Sequence, residues 1–151
     1  MRKIIGLLLV GALALPIYLT STASAGVATD LELRERFCGT PGSHCKNVGS
    51  RSGSAFGDRL IFTLPLEMRA DGSKVGRSQG ECATLHKSSD SFFCDYNLYL
   101  GDGMISVQGT MSLDLKVARM IPITGGTGAY EGATGTLRQK GPSVDVHIVV
   151  P

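Results

Sequence analysis

The chain has 151 residues, with 15 lysines and arginines against 13 aspartates and glutamates, a formal charge of +2, and 42% hydrophobic residues. That length supports one core or one modest pocket. Arg2 and Lys3 lie in an apolar leader, and without them 13 basic residues face 13 acidic ones with no tryptophan in the chain, a balance that argues against nucleic acid or an anionic membrane as a partner.

The leader, MRKIIGLLLVGALALPIYLTSTASA, places two positive charges before an apolar run and ends in Ala23-Ser24-Ala25. These are the charged, apolar and small-residue parts of a secretory signal peptide, with cleavage expected before Gly26. The run is short for a membrane span and contains Pro16, so no stable membrane anchor is expected after cleavage. The expected product is one exported domain over residues 26–151, extracellular or periplasmic.

After the leader, apolar residues recur with period two between Gly, Asp, Asn and Ser clusters, which is the signature of half-buried strands. LELRERF places Leu31, Leu33, Glu35 and Phe37 on one face and Glu32, Arg34 and Arg36 on the other. CGTPGSHC reads as a tight loop and NVGSRSGSAFGD as a longer one. RLIFTLPLEM, VGRSQGECATL, SFFCDYNLYL, MISVQGTMSL and RMIPIT follow, and TGTLRQK and SVDVHIVV close the chain across Gly141-Pro142. Eight short strands with tight connections favour a closed antiparallel barrel or a sandwich. A closed barrel of eight strands has no free edge and an interior sized for its own side chains or one small ligand.

The four cysteines, Cys38, Cys45, Cys82 and Cys94, all follow the leader. An even number in an exported chain reads as two disulfides. Of three pairings, Cys38–Cys45 with Cys82–Cys94 is expected, because each pair brackets a polar, turn-rich segment; the second would be a hairpin with KSSDS at its tip. The alternative is a metal site using His44 or His86, but neither cysteine spacing matches the usual zinc pattern. No metal or cofactor is expected. His147 shares its strand parity with Asp145 and Val149 and reads as an ordinary strand residue.

The segment ITGGTGAYEGATGTL, residues 123–137, at first suggests a phosphate-binding loop. A dinucleotide site needs a helix after the glycine turn and a βαβ unit around it. AYEGATGT is too glycine-rich and too short for that helix, and no Gly-Lys-Ser/Thr follows. The glycines are instead expected to turn the chain between strands, with Tyr130 plugging the base of the barrel.

GDGMISVQGTM followed by ITGGTGAYEGATGTL, with GDRLIFT and VGRSQGECATL upstream, resembles the allene oxide cyclase and dirigent-like barrel superfamily, closest to its exported bacterial members, over Gly57 to Leu137. The resemblance implies a calycin-type eight-stranded antiparallel barrel with a hydrophobic cavity, often a homo-oligomer such as a trimer or dimer. It implies an isomerase-type cyclase or a stereocontrolling protein, in which an apolar barrel holds a small hydrophobic molecule in one conformation. The family's inward glutamate on the first strand corresponds to Glu35, whose parity sets it with Leu31, Leu33 and Phe37. A carboxyl on an apolar wall has a raised pKa and can serve as a base or stabilise a cation; the plainer reading sets Glu35 at the rim, paired with an arginine. Phe62 and Phe92 correspond to pocket phenylalanines, and Tyr96 shares a face with Phe92. Leu64 stands where the family has an asparagine, and Cys82 where it has a pocket cysteine; the expected disulfide would remove that thiol. A non-catalytic exported barrel that binds a hydrophobic ligand, or serves a structural or interaction role, is the alternative function.

Overall fold

The computed structural model describes residues 26–50, 55–85, 91–112, 114 and 116–151. The leader, His86 and the first four residues of the KSSDS tip lie outside the described residues, and the last, Ser91, opens a strand. Among the described residues nine strands follow one another: β1 (Val27–Glu35), β2 (His44–Val48), β3 (Arg59–Met68), β4 (Lys74–Thr84), β5 (Ser91–Leu100), β6 (Gly103–Ser112), β7 (Arg119–Gly128), β8 (Thr134–Lys140) and β9 (Ser143–Val150). They form one antiparallel sheet in the order β1-β9-β8-β7-β6-β5-β4-β3-β2, closed by pairing of β1 with β3.

The expected eight-stranded barrel is therefore β1 with β3 to β9, and β2 is an addition. β3 offers one edge to two strands. Leu66 to Met68 pair with β1, and Arg59 to Thr63 pair with β2. HCKNV lacks apolar alternation and all five residues are exposed, so the period-two signal that reveals the other strands is missing there. The Cys38–Cys45 disulfide ties β2 to the loop before it. β1 also ends sooner than its alternation suggests. It stops at Glu35, and Phe37, expected on the inner face, is 42% exposed.

Alternation otherwise sorts the side chains as the sequence implies. Leu33, Leu66, Leu98, Ile105, Val107, Ile121, Leu137, Val144, Val146 and Ile148 are closed to solvent inside the barrel, and burying such side chains is the main stabilising term of a fold. Outside, Glu32 and Asp145 face each other across the β1–β9 ladder, a like-charge pair that would repel. Arg69 lies between them, 2.7 Å from Glu32 and 2.6 Å from Asp145, and Arg138 reaches Asp145 at 3.1 Å. His147 is likewise an outer-face residue, 2.7 Å from Asp30.

The glycine run divides between strand and turn. Gly125 to Gly128 continue β7 beyond the expected strand RMIPIT, at glycines expected to turn the chain, and the turn follows at residues 129–133. A side chain on Gly126 would come within 2.3 Å of the Tyr130 carbonyl and 2.7 Å of the Met104 carbonyl, and Gly128 has φ +65°, a conformation that favours glycine. Close backbone approach and a left-handed turn are the physical reasons for these glycines. Tyr130 packs against the core and donates to Asp102 Oδ1 at 2.8 Å.

Candidate functional site

The polar groups of the barrel interior gather toward one mouth. Glu35, the last residue of β1, is 7% exposed. Its Oε1 accepts a hydrogen bond from the Ser78 hydroxyl, and its Oε2 accepts one from Gln139 Nε2 at 3.1 Å. No arginine pairs with it among the described residues; Arg36, on the outer face, pairs with Glu67 at 2.9 Å. Burial raises the Glu35 carboxyl above its ordinary value of 4.5, opposed by the hydrogen bonds from Ser78 and Gln139, as expected when an ion is moved out of water.

Three strands build the aromatic wall beside it. Phe62 on β3 and Tyr96 on β5 both pair with Gly80 on β4. The absent side chain at Gly80 lets the two rings pack over it, with centroids 5.8 Å apart. Leu64 lies opposite Ser78 in the β3–β4 ladder. The hydroxyl that reaches Glu35 thus sits next to the position where the resemblance implies an asparagine. Phe92 is half-buried on the same face, nearer the rim. The Cys82–Cys94 disulfide joins facing positions of β4 and β5, and both expected disulfides are formed. Cys82 therefore presents no thiol.

Tyr96 is 2% exposed and its hydroxyl has no hydrogen-bond partner among the described residues. Burial pushes this phenol well above the usual tyrosine value, and the Glu35 charge adds to the shift. It is held as a neutral phenol within the barrel wall. Gln139 Oε1 and Arg119 Nε are also buried without a partner among the described residues. Most buried polar atoms in folded proteins are paired, so three unpaired ones on the inner wall mark a place where a bound molecule can supply partners.

The structure brings Glu35, Phe62, Leu64, Phe92 and Tyr96 onto one inner wall. Ser78, Gln139 and Arg119 were not singled out from the sequence, although parity would have found them. Ser78 alternates with Gly80 and Cys82, Gln139 with Leu137, and Arg119 with Ile121. Two open depressions lie elsewhere. One of about 480 Å³ sits between β2 and β3 at residues such as His44, Lys46 and Thr63. The other, about 420 Å³, lies at the base against Leu31, Met68, Leu100 and Tyr130. Neither is lined by Glu35 or Tyr96, so the candidate site rests on the buried polar groups.

The family described as "Allene oxide cyclase barrel like domain" matches residues 44–145. Among solved structures, a pyocyanin demethylase is similar at 24% identity and TM-score 0.60, covering 81% of this chain and 98% of its own. A pterocarpan synthase dirigent protein is similar at 18% identity and TM-score 0.65, with 84% of each chain covered. An exo-specific intermolecular Diels-Alderase is similar at 17% identity and TM-score 0.58, covering 82% of this chain and 98% of its own. At these identities the likeness concerns the fold.

Proposed function

Because the chain belongs to the allene oxide cyclase-like barrel family, we propose that it is an isomerase-type cyclase or stereocontrolling barrel acting on a small hydrophobic molecule. The observation that carries this reading is the buried Glu35 carboxyl, held by Ser78 and Gln139 near a Tyr96 hydroxyl that has no partner. The molecule enters at the mouth and lies against Phe62, Leu64, Phe92 and Tyr96. Ring closure within one molecule needs no oxidant, so the barrel's work is to hold the reactive conformer and exchange or share a proton. Tyr96, a neutral phenol, donates to a substrate oxygen. Glu35, with its pKa moved toward neutrality, removes or returns a proton, or stabilises positive charge on carbon. Similar folds described as a pterocarpan synthase dirigent protein and an intermolecular Diels-Alderase support the use of such a barrel to steer a reaction of small organic molecules.

The signal-peptide pattern of the sequence over residues 1–25, with two disulfides that fit an oxidising compartment, supports export of the domain over residues 26–151. The second reading, a non-catalytic carrier, is favoured by two departures from the family pattern: Leu64 in place of asparagine and Cys82 locked in a disulfide. Native mass spectrometry of protein purified from its source separates the readings, by identifying a co-purifying small molecule and reporting subunit number. Conversion of that molecule, slowed by about 10²-fold or more in Glu35→Gln, supports the cyclase. Unchanged conversion contradicts the role of Glu35, and binding without conversion identifies the carrier.

A further inference from the structure

Arg119 opens β7, and its parity with Ile121 and Ile123 turns it toward the inner face at the mouth. Its ladder partner is Gln139, the residue whose amide reaches Glu35. The β6 strand passes close by, with Gly109 placed 2.9 Å from Ile121 when given a side chain. Met111, two residues further along the same face of β6, packs partly buried against the core, and its ladder partner is Phe92. The rim thus holds a half-buried Arg119 together with the half-buried apolar residues Phe92 and Met111.

Arg119 makes none of the ion pairs found among the described residues. Its Nε is removed from water and has no acceptor among the described residues. The carboxyl facing the same interior, Glu35, is occupied by Ser78 and Gln139. A second polar side chain, Tyr96, is almost fully buried and unpartnered on the same wall. A desolvated guanidinium N–H without a partner is unfavourable, and an anionic oxygen is the acceptor that its planar fork matches best.

Building on the reading of this mouth as the site of a small hydrophobic molecule, we infer that the ligand carries an anionic oxygen, such as a carboxylate, received by Arg119 at the rim. Its apolar body passes Met111 and Phe92 and ends against Phe62 and Tyr96. The ligand class is an amphiphilic organic anion, and Arg119 fixes which end enters first. The Glu35 carboxyl is hydrogen-bonded by Ser78 and Gln139 rather than by Arg119, so an acceptor for the guanidinium is left for the ligand to supply.

Two fluorescent probes that share an aromatic frame test this: anilinonaphthalene sulfonate, which is anionic, and N-phenylnaphthylamine, which is neutral. Saturable binding of both to the wild-type protein is expected, with the sulfonate tighter by about tenfold. Arg119→Gln should remove that advantage and leave the neutral probe's affinity unchanged, while Arg119→Lys retains part of it. Equal wild-type affinities for the two probes, or sulfonate binding indifferent to Arg119→Gln, overturns the inference and leaves the apolar site standing. Failure of the neutral probe to bind overturns the reading of the mouth itself. The wild-type comparison decides the matter even where Arg119→Gln does not fold.

Discussion

At Glu35, desolvation favours the protonated form of the folded protein. Its folded pKa lies above the unfolded value, so the folded state binds the proton more tightly. The stability this contributes is fully present below the unfolded value and is lost as pH rises through the folded one. Glu35→Gln removes the dependence. In urea titrations the variant should gain stability relative to wild type from pH 4 to pH 8, and a constant difference would contradict the burial argument. Tyr96 calls for a different substitution. Because its hydroxyl is buried without a partner, Tyr96→Phe should leave folding stability unchanged or raise it by up to about 1 kcal/mol, while impairing conversion of the substrate. A loss of stability of that size would mean the hydroxyl has a structural partner.

Among the elements, β4 shows how an absent side chain builds a site. A methyl group on Gly80 would sit 2.3 Å from the Asp95 carbonyl and 2.3 Å from Tyr96 Cβ. Gly80→Ala should therefore cost about 1–3 kcal/mol in denaturant unfolding and separate the Phe62 and Tyr96 rings; a neutral effect would show that the strands can part freely. The strands themselves were largely legible in the sequence, because inward Leu, Ile and Val alternate with outward charged residues from LELRERF to SVDVHIVV. β2 was not, since HCKNV is stabilised by its ladder with β3 and a disulfide rather than by burying a face. The same parity placed Glu35 on the inner face. It could not reveal that Ser78, 43 residues away, and Gln139, 104 residues away, converge on that carboxyl, because barrel closure and strand tilt set that meeting. Phe37 erred in the other direction, as alternation continues past the point where the backbone leaves the ladder.

For the molecule as a whole, the two disulfides and the closed ladder act together. Among the described residues no cysteine is free, so native protein should show no reactive thiol before reduction; two or more would contradict the pairing. Removing the Cys82–Cys94 bridge, which spans 12 residues of sequence, by a double substitution to alanine should lower unfolding stability by about 2–4 kcal/mol, and no loss would mean the barrel ladder alone sets the strand pairing. The central claim is that the mouth combines a dry, protonatable carboxyl with an apolar binding space. A carbon-13 NMR titration of the Glu35 side-chain carboxyl, with and without N-phenylnaphthylamine, tests it most directly. The account predicts a midpoint above the ordinary 4.5 that rises further when the neutral probe displaces solvent from the rim. A midpoint at or below that value, unmoved by the probe, would contradict it.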